Sequence, residues 1–182
     1  LAGVMAWSQS KAKSTRDGAY FATLELATAR IDAFDAKSAE SLTLIARGQG
    51  QAYNASFDNL SANVGAILDD AGKNGDNEYA ARQAFIAYTT VHKNIRALDD
   101  KGNWDEAVAL ATNNAKDGAN ARFGTFDAAS GKALDQSSGQ LRHNLSSARS
   151  PLLAFAWIAL IAGVAAAVAA GLGVSTRLRE YR

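Results

Sequence analysis

Two histidines, two Asp-Asp pairs and no cysteine set the limits of the chemistry this chain could perform. His92 falls beside Tyr88 and Ile95 at the edge of an apolar helical face, where an imidazole is more often held by a hydrogen bond than by a metal. A metal site would need partners that the chain barely has. His143 lies on a polar stretch and reads as solvated. Asp69-Asp70 and Asp99-Asp100 end helices beside turns; as general acid and base they would need a cleft and a perturbed pKa, which a helix tip rarely offers. The sequence holds no phosphate-binding glycine loop, nucleophile elbow or zinc motif. Lack of cysteine excludes disulfides, thiolate metal sites and cysteine nucleophiles. The expectation is a non-enzymatic protein with no catalytic residue, metal or cofactor. A net charge of +1 argues against nucleic-acid binding, which wants a strong basic excess. Sequons at Asn54, Asn59 and Asn144 would matter only in a eukaryotic secretory pathway.

Two groups of residues stand out as binding features instead. In a helical bundle the first turn would bring Arg47, Gln49 and Gln51 close to Asp99, Asp100, Trp104, Asp105 and Glu106 of the third. Trp104 there is either a lid on the bundle or an anchor for a partner, since tryptophan is enriched among interface residues that dominate binding. The second group is Ala159, Gly163, Ala167 and Gly171, small residues at i, i+4 spacing that would let membrane helices approach closely.

These residues need long helices to position them. With one proline in 182 residues and 48% hydrophobic composition, little breaks a helix. Four helices are the simplest parse of residues 12–150. In the first, Tyr20, Leu24, Ala27, Ile31, Phe34, Ser38, Ser41 and Ile45 alternate steps of four and three, which predicts a core-facing seam. Gly48-Gln49-Gly50 stops it. The second helix carries Tyr53, Phe57, Leu60, Val64, Ile67 and Ala71 and ends at Gly72-Lys73-Asn74-Gly75. Asp76 is placed to cap a third helix with Phe85, Tyr88, Val91, Ile95 and Leu98 on its inner face. After Asp99-Asp100-Lys101-Gly102, Asn103 and Glu106 form a capping-box pattern. From Trp104 a single fourth helix is expected to run through Phe123, Phe126, Leu134 and Leu145. The predicted fold is all-α: an antiparallel up-down-up-down four-helix bundle with a two-helix stalk and a C-terminal transmembrane helix.

The transmembrane expectation rests on Leu152 to Val174, a run without one charge. At 1.5 Å per residue it reaches roughly 34 Å, enough to cross a hydrocarbon core. Arg177, Arg179 and Arg182 against Glu180 make the basic tail expected of a cytoplasmic flank. LAGVMAW at the start resembles the last turns of an earlier membrane helix, or a trimmed leader. The domains are therefore read as 1–10, the end or flank of a preceding membrane helix; 11–150, an extracytoplasmic sensor bundle; 151–174, the membrane helix; and 175–182, the tail. Pro151, preceded by Ser150, marks either a fresh helix start or a hinge between rod and span. A homo-dimer or packing of the membrane helix in a hairpin is compatible with this arrangement.

The segment SLTLIARGQGQAYNASFD (Ser41 to Asp58) and the ending RLREYR (Arg177 to Arg182) resemble the actinobacterial GlnX-type membrane proteins. The resemblance implies a non-enzymatic relay at the cell membrane, in which an extracytoplasmic solute-binding protein for amino acids is sensed by the bundle and a cytosolic protein kinase is informed inside. It supplies no binding residues. Rival readings are a receptor that binds a small ligand directly between its helices and a structural membrane-anchored scaffold. For the first, Arg30, Arg82, Arg96 and Arg122 are candidates, each more simply read as part of a solvated face.

Overall fold

The computed structural model describes residues 18, 20–73, 75–143 and 146. Among them the chain is all-helical, and residues 16–141 form one compact unit. Five helices follow in order: α1 (Phe21–Ile45), α2 (Gln51–Ala71), α3 (Asp76–Asp99), α4 (Trp104–Thr112) and α5 (119–143).

The packing is bundle-like. Asp69 pairs with Arg82 and Phe57 stacks on His92, so α2 and α3 run antiparallel. Phe85 meets Phe126 and Tyr88 meets Phe123, which sets α5 antiparallel to α3. Thr23 bonds Ser137, Arg30 reaches Asp127 and Trp104 reaches Leu44, so α5 and then α4 run antiparallel along α1. Aromatic rings from α2, α3 and α5 fill the core: Phe57, Phe85, Tyr88, Phe123 and Phe126 are all buried.

The inner face of α1 differs from the expected seam. Tyr20, Leu24, Ile31, Phe34 and Ile45 are exposed, with Ile31 at 63% and Ile45 at 72%. Ser38 and Ser41 are exposed with them. The buried face is Leu26, Ala29, Ala33, Ala36, Glu40 and Thr43. It repeats with the same alternation of three and four residues, offset by two positions and hence by about 200° around the helix. Volume explains the choice: the other helices bring bulky rings to the core, and an alanine face leaves room for them at native packing density.

The fourth expected helix is two. Asn113 leaves the helix in an extended conformation at the end of α4. Its Oδ1 accepts the Ala115 N–H at 2.7 Å, a local turn that competes with continued helix. Asn120 Nδ2 donates to Thr112 O at 3.0 Å, satisfying a terminal carbonyl. Gly118 then opens α5: a Cβ there would collide with the Asn113 backbone.

Two expected caps are also corrected. Asp76 lies inside the first turn of α3, because Gly75 is the N-cap and carries no side-chain bond; Asp76 and Glu78 act on the helix dipole instead. Asn103 makes no side-chain cap for α4. Its backbone N–H donates to Leu98 O and the Gly102 N–H donates to Asp99 O, with Gly102 at φ 82°. This Schellman closure of α3 consumes the donor that Glu106 would have taken in a capping box.

None of the helices among the described residues is long and apolar enough to cross a membrane. The expected span Leu152 to Val174, its small residues Ala159, Gly163, Ala167 and Gly171, the hinge Pro151, the basic tail and residues 1–10 lie outside the described residues. The stalk half expected for the fourth helix, residues 129–150, is described over 129–143 and 146. Within them, Ser130, Ala133 and Ser137 of α5 are buried, and Gln136 bonds Asn77 at the start of α3.

Candidate functional site

The end of the unit where α1 turns into α2 and α3 into α4 brings together part of the predicted tip. Arg47 has φ 41° and Gly48 φ 84°, so the chain leaves α1 through two left-handed residues. Gly50 then passes so close to Thr43 that a Cβ would strike its backbone. That reversal throws the Arg47 side chain over Trp104, the first residue of α4, with Cζ 3.9 Å from the ring centroid. Trp104 is half-buried, and its Nε1 donates to Leu44 O at 2.8 Å. The indole is therefore held by one hydrogen bond below and one guanidinium above. Beside it lies a groove of about 450 Å³ lined by Lys37, Leu44, Ile45, Val108 and Asn120.

The other predicted tip residues are distributed differently. Gln49 and Asp105 are exposed, Asp105 and Glu106 sitting in the first turn of α4. Asp99 and Asp100 turn back on their own helix: Arg96 binds both, at 2.6 and 2.5 Å. The remaining candidate arginines are paired too, Arg30 with Asp127 and Ser130, Arg82 with Asp69, and Arg122 with Asp117. They neither converge on one point nor stand as free cations.

A second polar feature lies inside. Glu40, 1% exposed, accepts from Lys37 Nζ at 2.7 Å and lies 2.8 Å from His92 Nδ1. The Tyr88 hydroxyl stands 3.4 Å away. Burial pushes the Glu40 pKa up, but the His92 hydrogen bond and the charge and hydrogen bond of Lys37, with the His92 charge, outweigh it and hold the carboxyl below its ordinary value. Burial, then the Glu40 charge and hydrogen bond, push the Tyr88 phenol well up. Tyr88 stays a neutral donor.

His92 was legible as a hydrogen-bonded residue at the edge of the core; its partner was not. Glu40 could have been found as the one acid in the Leu26, Ala29, Ala33, Ala36 series. The opposite nitrogen of the imidazole, Nε2, is buried without a hydrogen-bond partner, as is Ser61 Oγ. Both residues line a shallow cleft of about 380 Å³ between α2 and α3, with Asp58, Thr89 and Lys93 at its rim. Among the described residues no group of histidine and carboxylate side chains is arranged to hold a metal ion.

The class defined by these features is an all-helical, bundle-like unit with a capped polar core and a tryptophan-bearing tip. The chain matches no protein-family model, no curated protein and no solved structure.

Proposed function

We propose that this chain is a non-enzymatic, membrane-anchored relay whose extracytoplasmic helical unit, an up-down-up-down bundle on a stalk, docks an amino-acid-binding protein and passes the signal through Leu152 to Val174 towards a cytosolic kinase. The resemblance to GlnX-type proteins in Ser41 to Asp58 and Arg177 to Arg182 motivates the partners. The observation that carries the docking surface is the Arg47–Trp104 stack. Tryptophan and arginine dominate interface energetics, and a pair already fixed in place loses little side-chain entropy on binding. Exposed Asp100 and Asp105 supply a polar rim.

The test titrates a purified glutamine-binding-type protein against the full chain in detergent, with and without amino acids. Arg47→Ala should weaken binding by at least about tenfold, the scale of one interface anchor, with thermal stability little changed. Equal affinity for wild type, Arg47→Ala and Trp104→Ala would overturn the docking site.

A second reading has its own observation, the orphaned His92 Nε2 and Ser61 Oγ at the α2–α3 cleft. A small polar ligand that parted α2 from α3 at this cleft would supply the missing partners. Heat on adding amino acids without any protein partner favours this receptor reading. Silence in both titrations leaves a scaffold.

A further inference from the structure

The outer stripe of α1 forms a second heptad seam. Numbered as a coiled coil, Leu24, Ile31, Ser38 and Ile45 occupy a positions and Tyr20, Ala27, Phe34 and Ser41 occupy d positions. Within the described unit it is left largely open: Phe34 leans edge-on against Phe123 of α5, yet Tyr20, Leu24, Ile31, Phe34 and Ile45 are each between 45% and 72% exposed. Scattered exposed apolar side chains need no explanation, but a continuous stripe along a 25-residue helix does.

We propose that this stripe is a self-association surface, on which α1 of a second copy of the chain packs in parallel. Charge selects both occupant and direction. Arg30 and Lys37 flank the seam at g positions, while Asp35 flanks it at an e position. In a parallel pair each g residue faces the e residue five positions further along the partner, so Arg30 meets Asp35 of the second copy, twice by symmetry. An antiparallel pair would set Asp35 against the partner's own e edge, where Phe21, Thr28 and Leu42 offer it no cation. Asp35 is exposed and has no ion-pair partner among the described residues. Arg30 spends its two terminal nitrogens on Asp127 and Ser130 and keeps further N–H donors for a second carboxylate.

The polar members of the seam suit burial. The Ser38 hydroxyl donates to Phe34 O at 3.0 Å and that of Ser41 to Lys37 O at 3.2 Å. Covering them leaves no orphaned donor, which is the usual cost of a hydroxyl in an apolar interface. Small serines in the second half of the seam and bulky Ile31 and Phe34 in the first would fix the register.

The chain has no cysteine, so single substitutions report cleanly. The full chain in mild detergent should form disulfide-linked dimers with Ile31→Cys or Ser38→Cys, because a parallel seam sets each a residue against itself. Ile86→Cys, also exposed but on α3, should not. Ile31→Asp should keep the thermal stability of the wild-type monomer, measured in dilute protein, and weaken the dimer by at least about tenfold, since each substitution counts twice in a symmetric interface. Equal cross-linking at Ile86→Cys, or a monomeric mass at tens of micromolar, would overturn the interface. Cross-links between mixed Leu24→Cys and Ser41→Cys chains, in place of Ile31→Cys pairs, would overturn the parallel arrangement.

Discussion

Glu40 of α1 and His92 of α3 meet across the core at 2.8 Å, with Lys37 and Tyr88 closing round the same carboxylate. This contact ties together two helices that are not consecutive in the chain. Its members are buried with their polar atoms facing one another, so it specifies one rotational setting of α1: any other would leave a charge in an apolar core.

Glu40→Gln should therefore lower stability at pH 7 by about 3 kcal/mol, the scale for removing one partner of a buried pair. The pH dependence has a definite sign. The Glu40 carboxyl is held below its ordinary value of 4.5, so its contribution is complete above that pH and lost as pH falls through the lower folded value. Urea unfolding at pH 7 and pH 3 should show wild type losing more stability on acidification than Glu40→Gln; parallel losses would mean that the group does not titrate as described.

The buried core and the outer stripe of α1 should differ in their response to truncation. Phe126→Ala empties a fully buried site and should cost about 3–5 kcal/mol. Ile31→Ala, on the outer stripe, should change monomer stability by no more than about 0.5 kcal/mol. A large loss for Ile31→Ala in dilute, monomeric protein would show that the stripe is core after all.

The break between α4 and α5 depends on a close backbone approach. Gly118→Ala must displace the Asn113 backbone and should destabilise by about 1–3 kcal/mol, with faster amide exchange in α4. Gly124→Ala, inside α5 with open space around it, should stabilise by about 0.5–1 kcal/mol through helix propensity. Thermal melts of the two variants should move in opposite directions.

Trp104→Phe keeps the ring beneath Arg47 and removes the hydrogen bond from Nε1 to Leu44 O. The expected cost is about 1 kcal/mol, read from the denaturant midpoint. A loss several times larger would mean that the indole carries the α1–α4 junction through packing.

Much of the fold was legible because it follows from local rules. Glycines at 48, 50, 72, 75 and 102 punctuate the chain, and the 3.6-residue spacing of Phe57, Val64, Phe85, Tyr88 and Ile95 marks inner faces that the structure buries. Asn113 was missed because its turn is made by a side chain accepting from the backbone two residues on, a choice that alanine-rich neighbours disguise. The tip was half legible: loop position put Trp104 near Arg47, whereas Asp99 and Asp100 went to Arg96, a partner one turn back on their own helix.

By itself the sequence determined that the chain is helical, where most helices end, and that α1 carries an apolar seam. Only the tertiary structure decided which seam of α1 is inside. Periodicity records that a face is apolar, but not what volume awaits it. Five aromatic rings from other helices left space for alanines and put the larger Ile31 and Phe34 outside. The same packing brought Glu40 to His92, a pairing that no local spacing encodes because its partners lie 52 residues apart.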